Sequence, residues 1–197
     1  ERFAEKLCGM FAVAVWDERR HRLILARDRM GQKPLYWTQA KGQLIFASEL
    51  KALLVHPEVT PSLDRVSLAK YLAYEYVPAP RSIVANIHKL EAGHFLTLED
   101  GKVRIRQYWN LPTEGESTGI SEPLAIEGLK TLFEQSVKRR LISDVPLGVF
   151  LSGGIDSSSV VAAMSRFMPA EQIKTFSIGF AEQSFDESSY ARQVAKY

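Results

Sequence analysis

The stretch Val145-Pro146-Leu147-Gly148-Val149-Phe150-Leu151-Ser152-Gly153-Gly154-Ile155-Asp156-Ser157-Ser158 decides how the second half of this chain folds. An apolar run leads into Ser152-Gly153-Gly154, and a run of small residues, Ser157 to Ala163, leads out. That order predicts strand, tight glycine loop and helix. Backbone N–H groups at such a helix N-terminus, together with the helix dipole, attract an anion. Adjacent glycines let the backbone approach a phosphate closely, and the hydroxyls of Ser152, Ser157 and Ser158 add donors. Asp156 suits a divalent cation, since Mg²⁺ is typically held by one or two carboxylates plus phosphate oxygens. The loop lacks the G-x-x-x-x-G-K-[ST] spacing and the lysine of a Walker A motif. The structural alternative is an ordinary strand-to-helix turn capped by Asp156.

Outward from this loop the pattern alternates. A helix is expected over 123–142, with Leu129, Leu132, Phe133, Val137 and Leu141 at helical spacing and Glu134/Lys138 as an i,i+4 pair. Strand 145–151, helix 156–168, strand 174–180 and a helix from about Asp186 follow. Ser184 and Glu187 form a capping-box pattern. Alternating strands and helices predict a parallel sheet. Ligands of such sheets sit at the C-terminal strand ends, which makes Leu151 and Ile178 neighbours able to flank a flat ring.

The first half is patterned differently. Residues 9–16 read as a buried strand, 23–27 as its hairpin partner, and strands beginning at Leu35 and Leu44 complete a four-stranded antiparallel meander. A short helix from Ser48-Glu49 to Val55 comes next. Asp64 caps a helix over 65–74 whose apolar face is Val66, Leu68, Ala69 and Leu72. Val77-Pro78-Ala79-Pro80 is expected to be extended, and Asp100-Gly101 turns a hairpin between 95–99 and 102–109. Residues 110–121, rich in Pro, Gly, Ser and Thr, are expected to contain the domain linker. The expected domains are therefore 1–112 and 122–197, joined by 113–121.

With 197 residues, 46% of them apolar, the chain can build one large or two small cores. Its 25 basic and 23 acidic residues leave a net charge of +2, and no basic stripe carries interleaved aromatics, so no nucleic-acid partner is expected. One cysteine excludes an internal disulfide framework and makes a reducing cytoplasm the default. No apolar run reaches membrane-spanning length. His21, His56, His88 and His94 lack metal-ligand spacing and are expected on turns or the surface. Trp16, Trp37 and Trp109 are expected to be core or interface residues on strands. The chain opens at Glu1 and closes inside a helical pattern, as a fragment of a longer protein would.

Ser152 to Ser157 is similar to the S-G-G-x-D-S pyrophosphate loop of ATP pyrophosphatase domains. In order along the first half, Gly9-Met10-Phe11-Ala12 with Trp16-Asp17, Ala26-Arg27-Asp28-Arg29, Gly31-x-Lys33-Pro34-Leu35-Tyr36 and Phe46-Ala47-Ser48-Glu49 resemble the second half of a class II glutamine amidotransferase domain. Tyr71 to Gly93 and Ser143 to Ser158 resemble the glutamine-hydrolysing asparagine synthetases. In Glu91-Ala92-Gly93-His94 a proline that usually precedes the glycine is missing. The resemblance implies an α/β and α+β protein of two domains. One is the C-terminal half of an N-terminal-nucleophile glutaminase with antiparallel sheets; the other is the first part of a parallel-sheet adenine-nucleotide α-hydrolase-like domain.

It also implies ATP-dependent amidation of aspartate through β-aspartyl-AMP, using ammonia from glutamine. ATP and Mg²⁺ are the implied cofactors. The implied ATP contacts are Leu151, Ser152, Gly153, Gly154, Ile155, Asp156, Ser157, Ser158 and Ile178, with Asp156 on the metal. Glutamine and aspartate, or another carboxylate acceptor such as a cell-surface sugar or peptide, are the implied partners, with a homodimer compatible and no membrane. The glutaminase nucleophile of the family is an N-terminal cysteine upstream of this chain. Cys8 is instead expected to fill the core, so no catalytic residue is assigned and the fragment alone is expected to be inactive. Arg27, Asp28, Lys33 and Glu49 match structural or interdomain positions and are expected to partner one another. The competing readings are a non-catalytic nucleotide-binding module and another ATP pyrophosphatase, such as a tRNA-modifying enzyme or a GMP- or NAD-forming synthetase.

Overall fold

The computed structural model describes residues 3–111 and 119–197. The chain divides into two compact units, Glu1–Glu114 and Gly115–Tyr197. Residues 113–118 of the expected linker lie outside the described residues.

The first unit opens with a short helix, α1 (Phe3–Lys6), followed by β1 (Ala12–Asp17), β2 (Arg22–Arg27), β3 (Tyr36–Ala40) and β4 (Gln43–Ala47). Helices α2 (Leu50–Leu54) and α3 (Arg65–Tyr74) follow, then β5 (His88–Lys89), β6 (His94–Glu99) and β7 (Lys102–Gln107). All pairing here is antiparallel. The four early strands do not form one meander. β1 and β2 belong to a sheet of order β1-β2-β6-β7, whereas β3 and β4 belong to a second sheet of order β4-β3-β5. The chain changes sheet in the loop after β2, because Arg27 and Asp28 organise that loop.

Asp28 is 1% exposed. Its carboxylate accepts the backbone N–H groups of Phe11 (3.3 Å), Met30 (3.2 Å), Gln32 (3.0 Å) and Lys33 (2.9 Å). The Arg27 guanidinium donates to the carbonyls of Lys33 (2.8 Å), Leu90 (2.6 Å) and Gly31 (2.5 Å). Two opposite charges thus gather backbone groups of the loop after β2 and tie that loop to Phe11 and Leu90. This corrects the expectation that Lys33 and Glu49 would be the partners: backbone groups are, and Glu49 pairs locally with Lys51 at 2.7 Å. Burial lowers the Arg27 pKa, and the Asp28 charge opposes that shift.

β2 explains why the first sheet is central. Ile24 and Ala26 enter a core with Ala4 and Phe95, while Leu25 enters a second core with Leu35, Leu90 and Leu96. A strand covered on both faces reads as an uninterrupted apolar run. Each fully buried leucine contributes roughly 1.5–3 kcal/mol. β1, by contrast, is an edge strand whose Ala14, Val15 and Trp16 are exposed, not a buried strand. Cys8 precedes it and is exposed, so it does not fill the core.

Asp64 caps α3 as expected, its Oδ1 accepting Ser67 N–H at 2.9 Å and its Oδ2 pairing with Arg81 at 2.7 Å. The apolar face of α3 is different. Val66, Ala69 and Leu72 are exposed and Ser67 is fully buried, because the helix docks through its first turn. The Val77–Pro80 segment ends in a turn with a cis Ala79–Pro80 peptide instead of staying extended. The β6–β7 hairpin turns on Asp100 (φ 50°) and Gly101 (φ 72°), as the Asp-Gly pair predicts.

The second unit contains α4 (Glu122–Arg140), β8 (Gly148–Phe150), α5 (Ile155–Met164), a 3-10 turn (Ala170–Gln172), β9 (Lys174–Phe176) and α6 (Ser188–Ala195). β8 and β9 pair in parallel, Gly148 opposite Lys174 and Phe150 opposite Phe176. Both strands are shorter than expected, since regular pairing extends over only three residue pairs. The core gathers Val137, Ala163 and Met164. Only the C-terminal part of α4 reaches it, and Leu129 and Leu132 are exposed. Glu134 and Lys138 do not pair with each other. Glu134 bonds Arg166 at 2.6 Å, and Lys138 lies over the Phe167 ring at 5.3 Å. The Ser184/Glu187 capping box is not formed. Glu187 occupies the N-cap position of α6 without a side-chain cap bond. Asp186 instead accepts the Ser188 N–H (3.2 Å) and hydroxyl (2.9 Å), which holds its pKa below the usual carboxylate value.

Candidate nucleotide site

Strands β8 and β9 end side by side, and a cavity of about 310 Å³ opens at their C-terminal ends. Leu151, Ser152, Ser157 and Ile178 line it, so four of the residues singled out from the sequence converge there. Leu151 is 2% exposed, and its N–H donates to Phe176 O at 2.8 Å. Phe150, Phe176, Phe180 and Phe185 add apolar wall, while Ser177 and Glu187 add polar groups. A flat apolar-faced ligand suits such walls, with few polar groups to orient it.

The loop between Leu151 and α5 is internally braced. Ser157 Oγ accepts the Ser152 N–H at 3.2 Å and donates to Gly154 O at 3.2 Å. The Ser152 and Ser157 hydroxyls lie 3.1 Å apart, and the Gly154 N–H donates to Ser152 Oγ at 3.3 Å. The two hydroxyls therefore shape the loop before any ligand arrives. Gly154 is the N-cap of α5 and makes no side-chain cap bond, so the helix N-terminus keeps its dipole facing outward.

The two glycines have unequal tasks. Gly153 sits at φ +87°, and a Cβ there would stand 2.5 Å from Tyr190 Cβ and 2.8 Å from Ala191 N. Close packing against α6 thus demands glycine at 153. Gly154 has an ordinary φ of −68°, and a Cβ there would meet only Ser152 Oγ at 3.3 Å.

Gly153, Gly154, Ile155 and Asp156 lie on the loop and the first turn of α5 but do not line the cavity. Ile155 is 86% exposed and Asp156 is exposed. Among the described residues no group of three or more His, Cys, Asp or Glu side chains converges as a metal cage. A lone exposed carboxylate beside a helix N-terminus fits Mg²⁺ held chiefly by phosphate oxygens and water. Ser158 goes elsewhere: it lines a separate cavity of about 260 Å³ with Val161, Thr175 and Val194, and its buried hydroxyl has no hydrogen-bond partner. Sequence reading missed Ser177, Phe180, Phe185 and Glu187. Ser177 and Phe180 flank Ile178 just past β9, whereas Phe185 and Glu187 reach the wall from the segment before α6, which carries no ligand motif.

Among the described residues the histidines form no metal cage. His21 is exposed, and His56 is half-buried, its Nδ1 accepting the Glu58 N–H at 3.2 Å. His94 Nδ1 lies 2.8 Å from Ala92 O. His88 is not on a turn or the surface; it is half-buried on β5 against Trp37, ring centroids 4.8 Å apart, and burial and Arg81 lower its pKa. Trp37 lies on β3 as expected, Trp16 is exposed, and Trp109 follows β7 instead of lying on it. Among the described residues no helix is long and apolar enough to cross a membrane.

Antiparallel sheets in one unit, with a glycine loop between a parallel strand and a helix in the other, define a mixed α/β protein. Residues 1–109 match the family model described as "Glutamine amidotransferase domain", and residues 128–197 match the one described as "Asparagine synthase". The chain is 38% identical over 196 residues to asparagine synthetase (glutamine-hydrolyzing) 1 of Bacillus subtilis (strain 168), covering 99% of this chain and 30% of that protein. It is 39% identical over 193 residues to a putative asparagine synthetase (glutamine-hydrolyzing) 2 of Methanocaldococcus jannaschii, covering 96% of this chain and 37% of the relative. A fungal relative named amidase chyE, from Penicillium rubens, is 32% identical over 211 residues and covers 99% of this chain and 31% of that protein. The chain belongs to the glutamine amidotransferase family, and its second unit matches the asparagine synthase model over residues 128–197. It spans about a third of the length of these relatives.

Proposed function

We propose that this chain is part of an ATP-dependent amidotransferase that converts aspartate to asparagine with ammonia drawn from glutamine. In this reading residues 1–112 are part of the glutaminase domain and 122–197 begin a parallel-sheet, adenine-nucleotide α-hydrolase-like synthetase domain. The observation that carries the reading is the braced Ser152–Ser157 loop opening onto a cavity at the ends of two parallel strands.

The adenine ring lies between Leu151 and Ile178, where the cavity walls are apolar. The phosphates lie at the loop, where the N–H groups of Ile155 and Asp156 begin α5 and the helix dipole favours negative charge. Attack of the aspartate β-carboxylate on the α-phosphate forms β-aspartyl-AMP and releases pyrophosphate, and ammonia then displaces AMP. The chain's own contribution is to stabilise the charge developing on the leaving pyrophosphate. Asp156 would hold Mg²⁺ there, and the ion would supply charge to neutralise phosphate oxygens. Gly153 and Gly154 shape the loop, and Ile155 and Ser158 belong to it without facing the cavity.

The test is the full-length chain with ATP, Mg²⁺, glutamine and aspartate, with AMP, pyrophosphate and asparagine measured. Asparagine formed together with AMP, and lost in Asp156→Ala, is the expected result. Glutamine hydrolysis without asparagine overturns the aspartate assignment and points to another carboxylate acceptor.

A further inference from the structure

We infer that Ser177 is a positioning residue for the glycine loop, acting through the carbonyl of Leu151. The inference rests on the nucleotide reading above.

Regular pairing of β8 with β9 ends at Phe150 and Phe176. One more main-chain bond, Leu151 N–H to Phe176 O at 2.8 Å, extends the ladder, and then the chain turns into the loop. The next rung comes from a side chain: the Ser177 hydroxyl donates to Leu151 O at 2.5 Å. Leu151 is buried, and a buried carbonyl needs a donor. Ser177 itself is exposed. Water was therefore available to its hydroxyl, and the bond to Leu151 is a matter of geometry, not of confinement.

The consequence lies in the peptide plane. The Leu151 carbonyl and the Ser152 N–H belong to one planar unit. Ser177 holds that plane at the carbonyl end, and Ser157 Oγ holds it at the N–H end, at 3.2 Å. Ser157 in turn bonds Gly154 O, the N-cap of α5. A continuous chain of bonds thus runs from β9 through one peptide plane to the helix N-terminus. With the Ser177 hydroxyl removed, the plane is held at one end only. It can then rotate and carry the Ser152 hydroxyl with it, which misaligns the loop for the phosphates.

The experiment compares the full-length protein with its Ser177→Ala and Ser177→Thr variants. Threonine keeps the hydroxyl, and the exposed position has room for its methyl group. The readouts are Kd for Mg-ATP by calorimetry, KM for ATP against kcat by pyrophosphate release, and melting temperature. Ser177→Ala is expected to raise Kd and KM for ATP by about five- to tenfold, the scale of one lost hydrogen bond to a preorganised loop. Ser177→Thr is expected to restore both. A merely structural role would lower kcat with the folded fraction and leave KM unchanged. An alanine variant that binds ATP within about twofold of the unaltered protein overturns the inference, as does failure of threonine to rescue. If the unaltered protein itself binds no ATP, the nucleotide reading fails and this inference falls with it.

Discussion

Replacing each glycine of the loop by alanine, one at a time, separates two residues that look equivalent in the sequence. At Gly153 the backbone is left-handed, φ +87°, and a Cβ would stand 2.5 Å from Tyr190 Cβ, 2.7 Å from Tyr190 C and 2.8 Å from Ala191 N. Two of those three atoms are backbone, so no rotamer change relieves the clash. A left-handed non-glycine residue costs roughly 1–2 kcal/mol, and forced overpacking typically adds about 1–3 kcal/mol. The expected loss for Gly153→Ala is therefore about 2–5 kcal/mol. Gly154→Ala meets only the Ser152 hydroxyl at 3.3 Å with an ordinary φ of −68°, so about 1 kcal/mol or less is expected. Urea unfolding of the full-length protein, followed by a probe in the second unit, measures both. Equal destabilisation by the two substitutions would refute the argument that α6 packing, and not the loop's ligand, dictates glycine at 153.

Three further outcomes are expected. Asp28→Ala strips the acceptor from four backbone N–H groups in a buried site and should cost at least about 3 kcal/mol, with Asp28→Asn intermediate, as measured by denaturant midpoint. Asp64→Ala removes the α3 cap and should cost about 1 kcal/mol; a loss indistinguishable from zero would show that water accepts the Ser67 N–H equally well. His88 has a folded pKa below its ordinary value, so the unfolded chain binds the proton first, and stability should fall as pH drops from about 6.5 through the folded pKa. Urea unfolding at pH 7.5 and 5.5 should show a smaller drop for His88→Gln, and an identical drop would exclude His88 as the source.

Local signals in the sequence were reliable where a few adjacent residues settle the outcome. The Asp64 cap, the Asp100-Gly101 turn, α2 and the loop between β8 and α5 all lie where the residue chemistry puts them. Each depends on hydrogen bonds or φ preferences within about one turn of chain. Leu151, Ser152 and Ser157 meet at one cavity for a related reason, since the end of a strand and the start of its helix are close in sequence, whereas Ile178 joins them through the parallel pairing of β9 with β8. Burial was less legible. Val15, Val66, Leu129 and Leu132 have core-like identities and exposed side chains, because their elements meet neighbours through other positions.

What the sequence by itself determined is the order of elements, the glycine loop and the family, since these follow from short-range chemistry and motif spacing. Only the tertiary structure decided which strands share a sheet, that backbone groups partner Arg27 and Asp28, that Gly153 answers to Tyr190, and that Ser158 faces a different cavity from Ser157. Those outcomes depend on contacts between segments distant along the chain. Spacing within a segment carries no record of what arrives from elsewhere to fill the adjoining space.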